Sequence, residues 1–209
     1  MTSEFKTEQE AFWAGSFGSE YISRNRGAEL LASNLAFFNT ALRSASSLSS
    51  CIEFGANIGM NLAALKLLYP KQEQFAIEIN ADAVAQLRIV LPTEHVFLGS
   101  ILDFTPQQVF DLVLIKGVLI HMNPEYLSQI YDALYESVGR YLLVCEYYNS
   151  SPVAIPYRGH ENRLFKRDFC GELLGRFPTL RLVDYGFAYH GDPNFPQDDI
   201  TWFLMEKRG

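Results

Sequence analysis

Apolar positions along the chain fall into two periods, and the switch between them divides it. Over residues 1–45 the apolar positions recur at helical spacing. Phe5, Phe12 and Trp13 mark a first amphipathic piece, which Gly15 and Gly18 are expected to break. Leu30, Leu31, Leu35, Phe38 and Leu42 mark a second, from about Gly27 to Leu42. After a Ser-rich loop, Ser44–Ser50, short apolar runs alternate with helical segments. Strands are predicted at about Ser50–Phe54, Gln74–Ile79, His95–Leu98, Phe110–Ile115 and Arg140–Cys145. Helices are predicted from about Ile58 to Leu68, stopped by Pro70, and from an Asn80 cap to Pro92. Another starts at Asn123-Pro124-Glu125 and ends before Gly139. Phe110–Ile115 is the most continuous apolar run, broken only by Asp111, as expected of a strand covered on both faces of a parallel sheet.

This order predicts a doubly wound α/β sheet. Residues 146–167 break the pattern and are expected to be an irregular lid carrying Pro152, Pro156 and Gly159. A helix at about Asp168–Phe177 follows. Two last strands, Leu180–Tyr189 and Ile200–Glu206, have no helix between them and should pair antiparallel. The expected whole is one domain over 1–209: a Rossmann-like seven-stranded sheet, an N-terminal helical cap over 1–45 and a lid over 146–167.

Composition narrows the function classes. Seventeen basic against 24 acidic residues leave a net charge of −7, which disfavours nucleic acid as partner. No apolar run is long enough for a membrane span, and the acidic N-terminus is unlike a signal peptide. Three scattered cysteines without a Cys-x-x-Cys pair fit reduced thiols and a cytoplasmic location. No metal-ligand spacing is present around His95 or His190.

The chemistry centres on Cys51–Gly59, a strand, a glycine-bearing turn and a helix start that would offer free N–H groups to a ligand. A dinucleotide turn needs Gly-x-Gly-x-x-Gly, and Asn57 and Met60 stand at its second and third glycine positions. Glu78, closing the second strand, suits a ribose diol. Lys116–His121 follows the fourth strand. His121 is there either as a proton acceptor or as a residue orienting the next helix, and Lys116 either as an anion anchor or as a surface lysine. Arg158, His160, Arg163, Lys166 and Arg167 fall within ten residues, either for an anionic substrate or as solvated charge. Tyr147, Tyr148 and Asn149 leave the fifth strand at the same edge, as acceptor-pocket residues or as packing.

Glu53-Phe54-Gly55-Ala56-Asn57-Ile58-Gly59 resembles motif I of class I S-adenosylmethionine-dependent methyltransferases, with Asn57 in place of the middle glycine. The resemblance covers about residues 50–206. Four further stretches are similar to the narrower family of pseudaminic acid biosynthesis-associated methylases: Lys116–His121 with Asn123-Pro124, Tyr157–His160, Phe165–Asp168, and Trp13 with Tyr21–Asn25. The resemblance implies S-adenosylmethionine as cofactor. It implies Glu53 at the cofactor's ammonium, Gly55, Asn57 and Gly59 in close backbone approach, and Glu78 at the ribose. Ser100 and Ile101 are placed near adenine, where the family usually has an acid. Tyr21 and Arg24 would fold over the cofactor, Arg24 against its carboxylate or else exposed on a packed helix. The expected reaction is methyl transfer to an O or N of a small anionic, sugar- or nonulosonic-acid-related acceptor. His121 and Lys116 are the expected catalytic residues, and Tyr147, Tyr148, Asn149, Arg158, His160 and Lys166 the expected substrate contacts. Other sulfonium chemistry, such as cyclisation or another alkyl transfer, and a non-catalytic cofactor-binding module are the alternatives. The sequence specifies no oligomeric state.

Overall fold

The β1 strand (Ser50–Phe54) lies third in a mixed seven-stranded sheet in the order β3-β2-β1-β4-β5-β9-β8 in this computed structural model, which describes residues 5–208. The neighbouring strands are β2 (Glu73–Glu78), β3 (Val96–Leu98), β4 (Phe110–Lys116), β5 (Val138–Glu146), β8 (Leu180–Ala188) and β9 (Ile200–Lys207). Strands β1 to β5 run parallel, and β9 lies antiparallel between β5 and β8. The strand order reverses between β1 and β4, which puts a crevice at the carboxyl ends of the central strands.

Strand β4 shows why the sheet is buried on both sides. Leu112 and Leu114 face one helical layer: α3 (Ala28–Ala41), α4 (Met60–Leu68) and α5 (Ala81–Val90). Val113 and Ile115 face the other, built from α6 (Leu127–Ser137) and α7 (Phe169–Arg176). All four side chains are fully buried, each contributing about 1.5–3 kcal/mol. Lys116 continues the alternation onto the α3–α4 side, above the Phe37 ring. Cys51, Cys145 and Cys170 are buried free thiols.

Two local expectations are corrected. The N-terminal region holds three helices before β1, not two: α1 (Glu8–Ala14), α2 (Ser16–Arg24) and α3. Gly15 ends α1, but Gly18 lies inside α2, where its missing side chain admits the Trp13 carbonyl; an added Cβ would meet that oxygen at 1.9 Å. Residues 146–167 are not irregular. They hold an antiparallel hairpin of β6 (Val153–Tyr157) and β7 (His160–Lys166), turned through Arg158 and Gly159 in left-handed backbone. Helix α6 ends before Gly139, as expected. Helix α6 runs directly into β5 at Val138, and Gly139 sits beside the register shift of β4, where a Cβ would come within 3.1 Å of the Phe110 carbonyl. No helix among the described residues is long and apolar enough to cross a membrane.

Candidate functional site

A cavity of about 370 Å³ opens at the carboxyl ends of β1, β2, β3 and β4, a size and position usual for small-molecule sites. Its floor is the turn after β1. Gly55 and Ala56 donate their N–H groups to the Ile77 carbonyl at 2.9 and 3.0 Å. Gly55 has φ +77°, and a Cβ there would strike the Val118 side chain at 2.6 Å. Asn57 has φ +48°, a left-handed conformation that Asn tolerates better than other side-chain-bearing residues. Its N–H donates to Glu78 Oε2 at 2.7 Å, and its Oδ1 is buried without a partner. Gly59, at φ +82°, caps α4 and lies behind the wall rather than in it.

Two carboxylates underlie this turn. Glu53 is fully buried; Asn61 Nδ2 donates to its Oε1 at 2.6 Å, and Oε2 has no partner. Burial pushes the Glu53 carboxyl up to about 8, with the Asn61 bond and the Lys116 charge pulling it back. Glu78 lines the cavity and also accepts the Asn80 N–H at 2.8 Å on Oε1. Burial raises its carboxyl, and the backbone donors oppose that rise. Ser100 caps the turn Ile101–Asp103, and Ser100 and Ile101 both line the cavity. Ser100 Oγ donates to Glu10 of α1.

The loop after β4 forms the next wall. Glu146, closing β5, accepts the N–H groups of Val118 and Leu119 at 3.0 and 2.8 Å, with Ile120 at 3.5 Å. Burial lifts its carboxyl to about 7 against the pull of those three donors. This clamp shapes the turn that carries His121. The His121 ring donates Nδ1–H to the Arg163 carbonyl at 2.5 Å, which leaves Nε2 as its free nitrogen. Trp13 and Tyr157 flank the ring at 4.8 and 4.7 Å, and burial lowers the imidazole to about 4. His121 is therefore neutral throughout the physiological range. Lys116 lines the cavity with no hydrogen bond or ion pair among the described residues, and burial lowers its ammonium.

The cover comes from α1–α2 and the β6–β7 hairpin. Asn80 Nδ2 fans out to the carbonyls of Trp13, Ala14 and Gly15, each at 3.3 Å, and so pins the α1–α2 corner onto the end of β2. Of the residues expected at the cofactor, Tyr21 lines the cavity and burial raises its phenol to about 12. Arg24 does not line it; its guanidinium lies over the Phe17 and Tyr21 rings at 5.4 and 5.6 Å.

Among the expected substrate contacts, Tyr147 and Arg158 reach the cavity wall. Tyr148 is exposed beside Phe203, and Asn149 bonds to Ser151 within its own loop. His160 packs on Phe12 and Phe17 outside the cavity, and Lys166 lies over the Tyr147 ring. The basic cluster is divided further, because Arg163 pairs with Glu8 and Arg167 with Glu172. The sequence reading missed Gln9 and Glu10 on α1, Asn34 on α3, Asn61, and Gln197 and Asp198 of the β8–β9 connection, all of which line the cavity. It also missed the Glu146 clamp. No local motif marks these residues; separate stretches meet only through the fold.

No protein-family model matches the chain, and no curated protein matches it. Solved structures do. The 1,6-didemethyltoxoflavin-N1-methyltransferase of Burkholderia thailandensis, solved with 1,6-didemethyltoxoflavin and S-adenosylhomocysteine, superposes with a TM-score of 0.68 at 13% identity over 96% of this chain and 87% of that one. A S-adenosylmethionine-dependent methyltransferase from Clostridium acetobutylicum gives 0.63 at 10% identity, over 92% and 98%. The mitomycin 7-O-methyltransferase MmcR gives 0.59 at 15%, and this chain spans 55% of its length. The chain thus has the Rossmann-like fold of the class I S-adenosylmethionine-dependent methyltransferases.

Proposed function

We propose that this protein binds S-adenosylmethionine and moves its methyl group to an oxygen or nitrogen of a small anionic acceptor. The observation that carries this reading is a pair of buried acceptor atoms without partners: Asn57 Oδ1, on a residue that lines the cavity, and Glu53 Oε2, on β1 behind that wall. Buried acceptors need donors, and a ligand ammonium supplies them, directly or through a water. Gly55 keeps the floor clear for close approach, and Glu78 has lone pairs left for a diol. When bound, the sulfonium supplies an electrophilic methyl group. The chain's own residues hold and orient the two reactants and shut out water. The aromatic cover of Trp13, Tyr21 and Tyr157 does the last.

Lys116 and Arg158 support an anionic acceptor, and Asp198, which has no hydrogen bond or ion pair among the described residues, can accept an acceptor's hydroxyl or amine hydrogen. His121 Nε2, neutral, is the atom for a departing proton. Acceptors of the similar proteins, mitomycin and 1,6-didemethyltoxoflavin, are small molecules. The nonulosonic-acid acceptor rests on the resemblance of the four stretches named above, among them Lys116–His121 and Tyr157–His160. Calorimetry with S-adenosylhomocysteine tests the first step, and saturable one-to-one binding is expected. Absence of binding to folded protein overturns the reading. Formation of S-adenosylhomocysteine rather than methylthioadenosine, with labelled cofactor and candidate acceptors, tests the second.

A further inference from the structure

The cofactor's parts have an order along the strand ends. Glu53 on β1 awaits an ammonium and Glu78 on β2 suits a diol, so the base falls at the next strand, β3, about 5 Å further on. Ile79 and Ile101 offer apolar faces to the cavity there. The local acid, Asp103, is turned away, paired with Lys6 at 2.5 Å and largely exposed. What reaches the end of β3 is Glu10 of α1, which is 4% exposed, lines the cavity and accepts from Ser100 Oγ.

Glu10 has one place left. A carboxylate offers about four acceptor sites. Thr7 fills Oε2 with its N–H at 2.7 Å and its hydroxyl at 3.0 Å, and Ser100 takes one site on Oε1. One site on Oε1 remains. Its neighbour Gln9 is 6% exposed and lines the same cavity. The Gln9 amide donates Nε2–H to the Asn162 carbonyl at 3.0 Å, which fixes its orientation, and its Oε1 is buried with no partner. Two acceptor positions without donors are therefore presented from α1, and an exocyclic amine has two hydrogens to give.

We propose that α1 reads the nucleobase: Glu10 and Gln9 accept the two hydrogens of the adenine amine from outside the sheet, and the N-terminal helix thereby sets base specificity. This rests on the cofactor reading above. It assigns α1 a recognition role beyond that of a cover. The sheet end itself supplies only Ser100, a hydroxyl whose proton is committed to Glu10. A 6-oxo base, with a carbonyl where adenine has its amine, would set oxygen against oxygen at both positions and be rejected.

The test compares dissociation constants for S-adenosylhomocysteine and its deaminated counterpart, S-inosylhomocysteine, by calorimetry. The wild-type protein is expected to prefer the adenine form by ten-fold or more. Glu10→Gln adds a donor that can face the 6-oxo group, so the preference should fall below about three-fold. A role of Glu10 confined to the Thr7 cap would weaken both ligands equally and leave the ratio unchanged, and that result overturns the proposal. Should Glu10→Gln fail to fold, Gln9→Met carries the same test through loss of one acceptor, with the same ratio as readout. Failure of the wild-type protein to bind S-adenosylhomocysteine would instead remove the cofactor reading and this inference together. Binding of S-adenosylhomocysteine with no preference over the deaminated form removes this inference alone.

Discussion

Asn61 holds one oxygen of Glu53 at 2.6 Å and leaves the other bare inside the protein. The carboxyl is raised to about 8 by burial, so at pH 7 it is mostly protonated in the free protein. An incoming ammonium favours the ionised form. Cofactor binding at pH 7 should therefore release a proton, and affinity should rise as pH climbs toward 8. Calorimetry in buffers of different ionisation enthalpy measures this release; an affinity flat between pH 6 and 8 counts against Glu53. The stability effect has the opposite sign. Between the ordinary carboxylate range and about 8 the folded state holds a proton that the unfolded state has lost, so stability falls as pH rises. Glu53→Gln should keep or raise the melting temperature at pH 8 and lower S-adenosylhomocysteine affinity at least ten-fold.

Asn57 does two jobs that substitutions can separate. Asn57→Gly keeps the left-handed turn and removes the unpartnered Oδ1, so folding stability should hold and cofactor affinity should drop several-fold. Asn57→Ala should lose the same contact and also about 1 kcal/mol of stability, because alanine is strained at positive φ. Denaturant melts paired with calorimetry on both variants distinguish the two losses.

His121 should stay neutral far below the usual imidazole range. Its midpoint of about 4 predicts that ring resonances followed by NMR do not titrate between pH 8 and 5. Because the unfolded ring gains its proton near 6.5, stability contributed at this site should decline as pH falls from there toward 4. A midpoint near 6.5 in the folded protein would contradict the burial argument.

Gly18 and Gly175 form a matched pair. Both lie in helices, but a Cβ at Gly18 meets the Trp13 carbonyl at 1.9 Å, and one at Gly175 meets nothing within 4 Å. Gly18→Ala should cost about 1–3 kcal/mol through overpacking and weaken cofactor binding by loosening the corner that Asn80 pins. Gly175→Ala should gain about 0.5–1 kcal/mol from helix propensity. Thermal melts of the two variants should move in opposite directions.

The proposed role of Lys116 is at the acceptor, not at the cofactor. Lys116→Met preserves its apolar stem on the α3–α4 side, so S-adenosylhomocysteine affinity should change by less than about three-fold. Acceptor KM should rise ten-fold or more, once an acceptor is in hand. Loss of cofactor affinity instead would place Lys116 in the Glu53 network, whose charge already acts on it.

The two periods of the chain carried the fold. Alternation of apolar runs and amphipathic segments marks β1 to β5 and their helices, because strands covered on both faces must be apolar over their buried stretch, as β4 is from Leu112 to Ile115. Boundaries were good where a cap or a proline marks them, as at Asn80, Asp168 and Pro92. They failed where the backbone was set by a distant neighbour. Gly18 looks like a breaker, yet it is helical because the Trp13 carbonyl needs its space. The β6–β7 hairpin was invisible because its exposed residues have no core face to impose a period of two.

The candidate site divides along the same line. Glu53, Gly55 and Glu78 could be found by position, since strand ends and the first turn have fixed local chemistry. Asn57 became intelligible only with its dihedral and its bond to Glu78. Charge was the least legible property. The basic stretch 158–167 reads as one anion site, but ion pairs with Glu8 and Glu172 draw off two of its members, and a buried lysine on another strand faces the cavity instead. Sequence alone determined the sheet, the glycine-bearing turn and the acids that flank it, because these follow from local periodicity and strand ends. Tertiary structure decided which polar atoms lack partners and which helix covers β3. An unpartnered atom is defined by everything around it, and those surroundings come from 150 residues away as readily as from the next turn.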